Sequence, residues 1–280
     1  MTTARTVLTI AALTLREASR RRVLLALAAL TIVLLVLSGW GFSRLAQSSL
    51  TSGETRLAAS QLLNLVMFGF SLMAALGTAF LAGPTLSGET ESGIALSVLA
   101  RPVRRSAVLL GKWLGLVAFG SGFVVLAGLA QCLIVRWTAE YWPPQPAAAL
   151  ALLAAQTIVL LTLSLLLSTA ISPMASGVVA VGLFGATWVA GVVGGIGEAL
   201  GNDGVARVGT VSRMLLPTDG LWRGAMHAFQ DPAALAQFGA LDGFPFLSRA
   251  PLTAAYLAWA AVWVAMIWGL AAASFLRKDL

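Results

Sequence analysis

The 280-residue sequence predicts an all-α integral membrane protein with six transmembrane helices. An N-terminal interfacial helix, a short cytoplasmic helix and short outer helices before the last span complete the expected fold. Three observations lead there. Hydrophobic residues make up 59% of the chain and charged residues 10%, against about 25% charged in an ordinary soluble domain. Six apolar runs are long enough to cross a hydrocarbon core of about 30 Å, which takes around 20 residues each. The cations cluster at alternate ends of those runs. No linker-like stretch or internal repeat divides the sequence, so residues 1–280 are read as one transmembrane domain.

The N-terminal segment 1–22 comes first. At about 100° per residue Arg5, Thr9, Arg16 and Arg20 share one side of a helix, with Val7, Ala11, Leu15 and Ala18 on the other. Such a helix would lie in the inner interface with its cations toward lipid phosphates, the rival being a cytosolic extension of the first span. It is not read as a cleavable signal peptide, because the apolar run after Arg22 continues too far without a clear cleavage site. The spans are placed at 23–42, 61–84, 108–135, 148–171, 176–196 and 252–276. Only Ser172, Pro173, Met174 and Ala175 separate the fourth from the fifth, and Pro173 breaks the helical ladder there. Residues 197–250 form the one long connection, an outer loop in which Asp219 is expected to cap a helix over 220–229. Asp231 followed by Pro232 is expected to start a second. Met214, Leu215, Leu216, Leu221, Trp222 and Phe229 favour contact with the membrane over a free outer loop.

Orientation follows from the basic residues. With the N-terminus inside, the inner segments hold eleven Lys and Arg and four acids, a net of +7, and the outer segments hold seven of each. The positive-inside rule therefore puts both termini in the cytoplasm of a multi-pass protein of a plasma membrane, the bacterial cytoplasmic membrane. Nucleic acid is not an expected partner, since the cations flank hydrophobic spans instead of striping a soluble module. Trp40, Trp113, Trp137 and Trp142 fall near span ends, as amphipathic rings at the headgroup level should. Trp188, Trp259 and Trp263 fall inside spans, to pack or to line a path. Gly111 with Gly115, and Gly191 with Gly195, have the four-residue spacing that lets helices approach closely, within the chain or between subunits.

The spans carry no Asp, Glu, Lys, Arg or His near their middles. Proton-coupled carriers and ion pumps keep such groups despite their cost, so those classes are disfavoured. No GxxxxGK[ST] phosphate loop, Ser-His-Asp set or HExxH helix is available, so no catalytic residue is expected. His227 is the only histidine and Cys132 the only cysteine, so no metal ligand set is expected; Cys132 reads as a small buried hydrophobe in preference to a redox group.

The informative segment is 85–107, the second cytoplasmic loop. Ser87 can cap a short helix whose first turn holds Glu89 and Glu91, where carboxylates suit the positive end of the dipole. Ile94, Val98 and Leu99 give that helix an apolar side, and Pro102 ends it before Arg104 and Arg105. The residues alone leave open an ordinary solvated turn with positive-inside arginines.

The run Glu89-x-Glu91-x-Gly93, then Leu96-x-Val98-Leu99, then Arg101-Pro102-Val103-x-Arg105, then Gly111 and Lys112, resembles the loop of the type-two ABC transporter permeases, the NosY-like six-span export permeases. That family has E-x-E-x-G-T, leucines, arginine-proline-valine-x-arginine and glycine-lysine after its second span. Its layout of an amphipathic N-terminal helix, six spans and outer re-entrant helices before the last one is similar over the whole chain. Ile94 departs from the family's threonine, which puts the packing of the loop helix in doubt.

The resemblance implies a permease subunit of an ATP-driven exporter, with no ATPase site or cofactor of its own. ATP and Mg would be bound by separate ABC-type ATPase subunits, and a second permease chain, identical or related, would complete the path through membrane lipid. Glu89, Glu91, Gly93, Leu96, Val98, Leu99, Arg101, Pro102, Arg104, Arg105 and Lys112 would form the coupling interface. Polar residues would orient the joint and the apolar side of a coupling helix over 89–99 would hold it, since exposed ion pairs add little affinity. The alternative is a non-transport scaffold or sensor subunit whose basic inner face recruits a soluble partner. It accounts for the spans and the charge asymmetry, and not for the motif.

Overall fold

A computed structural model describes residues 3–19, 22–48, 51–91, 105–231, 246–248 and 250–277. The described residues are helical, with no strand among them. In order the helices are α1 (Thr3–Ser19), α2 (Arg22–Ala46), α3 (Ser52–Glu91), α4 (Arg105–Ala139), α5 (Pro146–Ser168), α6 (Pro173–Ala199), α7 (Asp203–Leu215), α8 (Thr218–Phe229) and α9 (Ala254–Arg277). Six of them, α2 to α6 and α9, are long and apolar enough to cross a membrane. Their outer surface is apolar as well: Leu25, Ile32, Val36, Leu126, Val178 and Val262 are all exposed. A water-facing surface rarely carries so continuous an apolar cover, and a bilayer calls for one.

The α4, α5 and α9 ranges lie close to their expected spans, while α3 does not. Its start is nine residues earlier than position 61, at a capping box. The Thr51 backbone N–H and Oγ1 donate to Glu54 Oε2 at 2.9 and 2.8 Å, and the Glu54 N–H donates back to Thr51 Oγ1 at 3.4 Å. Hydropathy alone hides this turn because residues 51–60 are mostly polar or small. At its other end α3 continues past Pro84 to Glu91, and its 40 residues make a helix about 60 Å long. Residues 85–91 therefore prolong α3, and Ser87 does not cap a new helix. With the backbone already in the α3 ladder, no helix start exists there for it to cap. Pro173, by contrast, stands in the first turn of α6, where its missing N–H costs nothing.

The contacts assign the two ends of the bundle. α1 lies across the start of α4, and Phe275 near the end of α9 packs with Leu109 and Leu165 at that same end, the α1 face. At the opposite end, the α8 face, Tyr141 and Gln145 after α4 meet the end of α8. The six long helices alternate between these faces. α3 and α5 are the most buried and carry the core, with Leu63, Met67, Phe70 and Leu153 enclosed; α2 and α9 are peripheral.

Side-chain hydrogen bonds tie the helices together. Ser38 Oγ donates to Gln131 Oε1 at 2.7 Å between α2 and α4, and Ser71 Oγ to Gln156 Oε1 at 2.9 Å between α3 and α5. Trp113 Nε1 donates to Thr162 Oγ1 at 3.0 Å between α4 and α5. Such bonds within membrane bundles average about 0.6 kcal/mol, so they set register more than they hold the fold.

Between α6 and α9 the chain re-enters the bundle as a helical hairpin. Gly201, at φ +65°, ends α6 in a conformation that glycine adopts without strain. The Asn202 N–H reaches back to the Gly197 carbonyl at 2.9 Å and the Gly201 N–H to that of Glu198 at 3.2 Å, a Schellman ending. Asn202 Oδ1 then accepts from the Val205 N–H at 3.2 Å and starts α7. α7 runs back along α6 with nothing but glycine between the backbones: a Cβ on Gly194 would stand 2.6 Å from Gly209 Cα. The descent ends level with Thr187, whose carbonyl accepts from Ser212 Oγ at 3.3 Å. Leu216 and Pro217 make the turn, and α8 climbs back between α3, α5 and α6.

Candidate functional site

At the α1 face, α1 is docked on α4 through the two glycines spaced four apart. A Cβ on Gly115 would stand 2.6 Å from the Ala11 carbonyl oxygen, and one on Gly111 2.7 Å from Ile10 Cβ. The Gly111 and Gly115 pair thus serves a contact within the chain. The side of α1 that packs is Val7, Ile10, Ala11, Thr14 and Ala18, while Arg5, Thr9 and Arg16 are exposed on the opposite side. Over Thr3–Ser19 the amphipathic division expected of residues 1–22 is present, with Leu15 outside it; Arg20 lies outside the described residues. Leu8, Leu13 and Leu15 are exposed, and they flank the cationic strip as lipid-facing residues of an interfacial helix would.

Ala18 meets Leu81 and Ala82 of α3, Leu116 of α4 and Leu161 of α5 in one cluster. The two helices that bracket residues 92–104 are therefore held in one block with α1. Of the expected coupling residues, Glu89 and Glu91 fall in the last turn of α3, Arg105 opens α4, and Lys112 is buried in α4 next to Gly111. Gly93, Leu96, Val98, Leu99, Arg101, Pro102 and Arg104 lie outside the described residues.

Beside this block, α2, α3 and α4 enclose an apolar crevice of about 180 Å³ lined by Leu27, Met73, Gly77, Phe119, Gly120 and Phe123. Gly77 and Gly120 make the room, since a Cβ on Gly77 would stand 2.8 Å from Leu27 Cδ1. Its lining matches hydrocarbon and offers almost nothing to a polar ligand.

The hairpin brings in charge that the middles of the long helices lack. Asp219 is nearly fully buried, and its Oδ2 accepts from Arg213 Nε and Arg223 Nε at 3.0 Å each. Arg223 Nη2 also donates to the Gly191 carbonyl at 2.6 Å. Gly191 is required here, because any side chain would run into the Asp219 carboxylate. The expected capping of α8 by Asp219 does not form. Instead α8 begins at Thr218 with no side-chain cap, and the carboxylate is turned onto the two arginines. Two guanidinium groups in a poorly hydrated site draw a carboxylate more strongly than backbone amides do.

The rest of the hairpin is pinned by hydrogen bonds from aromatic side chains. Tyr256 Oη donates to the Arg213 carbonyl at 3.0 Å, Trp259 Nε1 to that of Met214 at 3.2 Å and Trp263 Nε1 to that of Leu215 at 2.8 Å. These α9 residues satisfy the last carbonyls of α7, which water would otherwise have to reach. Trp259 and Trp263 therefore pack and donate. At the other end Tyr141 Oη donates to the Phe229 carbonyl at 2.6 Å. Burial pushes the Tyr141 pKa up, the Asp231 carboxylate adds to the shift, and the hydroxyl stays protonated for this bond. Asp231 itself faces Arg56 at 3.4 Å; the helix expected after it begins at Pro232, outside the described residues.

The expected membrane contact of the hairpin is divided between its two helices. Leu221, Trp222 and Phe229 of α8, with Leu216 at the turn, are buried in protein, while Val208, Val211, Met214 and Leu215 of α7 are exposed. Sequence reasoning missed α7 and the charge cluster. The signals were there: Gly201 and Asn202 as a stop and start, and Asp219 with Arg223 at the i,i+4 spacing of a helical ion pair. No family model matches the sequence, and no curated protein matches it.

Proposed function

We propose that the chain is the membrane-spanning permease subunit of an ATP-driven exporter of the type-two ABC kind, moved by separate ATPase subunits that grip residues 87–105. The observation that carries this reading is the sequence run from Glu89 to Lys112, which takes in the end of α3 and the start of α4, two helices longer than a bilayer needs. The span of α3 is expected to end at Pro84 and the helix goes on to Glu91, about 10 Å further at 1.5 Å per residue. A motor bound to the intervening segment would have rigid levers on both sides, and α1 would move with α4.

Glu89, Glu91, Arg101, Arg104 and Arg105 would orient the joint, and Leu96, Val98 and Leu99 would fill a groove of the ATPase. ATP and Mg belong to that partner. A second permease chain would close the path.

The test is co-purification in detergent with a candidate P-loop ATPase, followed by ATP hydrolysis in lipid. Gly93→Pro and Leu99→Asp should abolish ATPase capture and transport while the protein still reaches the membrane. Capture and transport that survive both changes would refute the coupling assignment. A partner that binds the basic face but hydrolyses no ATP would mark the chain as a recruiting scaffold.

A further inference from the structure

We propose that the crevice between α2, α3 and α4 holds one acyl chain of a phospholipid from the surrounding bilayer. Its floor belongs to α3, where Met73, Ala74 and Gly77 are buried. Its rim belongs to α2 and α4: Ala28 is exposed, and Leu27, Phe119 and Phe123 are half-buried. The crevice therefore opens between α2 and α4. Leu25 and Ile32, both exposed, stand three residues before and four after Ala28 on the same side of α2. The opening is thus continuous with the apolar surface that the bundle turns to lipid.

Size and chemistry name the occupant. The crevice measures about 180 Å³. An apolar cavity of about 150 Å³ accepts a benzene ring, so a run of about six chain carbons fits. Thr78 is the polar side chain of the lining, and its Oγ1 donates to the Ala75 carbonyl at 3.0 Å. A water needs about two to four polar partners, and this lining does not offer them. Left empty, the crevice would forfeit dispersion contacts along Met73, Phe119 and Phe123. The hydrocarbon beside it restores them, and it has no hydration shell to lose first. The depth agrees. Gly115 docks on Ala11 of α1, and Phe119 and Phe123 follow one and two turns along α4, about 6 and 12 Å further into the bundle. Leu24 and Phe119 also pack against the Ala18 cluster, which closes the crevice toward α1. With α1 as an interfacial helix, the crevice lies at the level of acyl carbons, below the headgroups. α2 meets α3 just past it, where Thr31 Oγ1 donates to Met73 Sδ at 3.7 Å. The site rests on the membrane-spanning fold and does not depend on the permease reading.

The experiment uses the full chain in nanodiscs of phosphatidylglycerol, part of which carries a photoreactive diazirine midway along one acyl chain. After irradiation, peptide mass spectrometry locates the adducts. Leu126 and Val262 are exposed, report ordinary lipid contact, and should be labelled in every variant. Met73 and Ala74 are buried and should be labelled through the crevice alone. Ala28→Phe plugs the rim from an exposed position and should lose the Met73 and Ala74 adducts while keeping those on Leu126 and Val262. Ala26→Phe, at an exposed position outside the lining, should be labelled as wild type. Wild-type adducts confined to exposed residues, or Met73 and Ala74 adducts undiminished in Ala28→Phe, would overturn the proposal. The wild-type pattern decides by itself, so a variant that fails to fold leaves the test intact.

Discussion

Replacing Asp219 with asparagine tests what holds the re-entrant hairpin in place. In the wild type one carboxylate oxygen receives two charge-assisted hydrogen bonds, both at 3.0 Å, from helices on either side of the turn. The Asp219→Asn amide would keep the volume and lose the charge, leaving two guanidinium groups facing each other in a site with little water. Removing one partner of a buried pair costs about 3–5 kcal/mol. The arginines keep about a fifth of their surface exposed, which leaves them some room to move apart and favours the lower end, about 3 kcal/mol. At about 2–4 °C per kcal/mol the midpoint of thermal unfolding should fall by about 6–12 °C. Arg213→Gln leaves one balanced pair and should cost about 1 kcal/mol, the ordinary worth of a hydrogen bond. The assay is size-exclusion chromatography of detergent-solubilised protein after heating, with matched heating times because such unfolding is irreversible. The order is the decisive result. If Asp219→Asn melts with the wild type, or survives better than Arg213→Gln, the carboxylate does not hold the hairpin.

Three other changes address other joints. Tyr141→Phe removes the donor to the Phe229 carbonyl and should cost about 1–2 kcal/mol, read as a lower unfolding midpoint with the fold retained. Gly115→Val pushes a branched side chain into the Ala11 carbonyl and should cost about 1–3 kcal/mol; limited proteolysis should then cut within α1 while α4 to α9 stay resistant. Trp263→Phe keeps the packing but leaves the Leu215 carbonyl without its donor, which should lower stability by about 1 kcal/mol, whereas Trp137→Phe, at an exposed ring, should be neutral.

The six long helices were legible because bilayer thickness imposes a length that hydropathy measures directly. Pro173 was legible for the same reason, since a helix without that break could not fit. The early start of α3 was not, because the Thr51 to Glu54 capping box is a local polar signal in a window judged by apolarity. The hairpin shows a different limit. α8 is wrapped in protein on every side, so Leu221, Trp222 and Phe229 carry the same apolar signature whether protein or lipid covers them. Asp219 read as a cap because a carboxylate at a helix start usually is one. Only the return of α7 along Gly194 and Gly197 shows that Arg213 is near enough to take it. The α1 contact lay between: the cationic strip was visible in the sequence, and the use of Gly111 and Gly115 as its dock was not.

The account depends on the α1 face being the cytoplasmic one, where residues 92–104 can meet a motor. Labelling of intact cells with a membrane-impermeant maleimide decides this, using Arg104→Cys or Gly201→Cys in a Cys132→Ala background. Arg104→Cys should react only after the membrane is opened, and Gly201→Cys should react from outside. Labelling of Arg104→Cys in sealed cells, with Gly201→Cys protected, would contradict it.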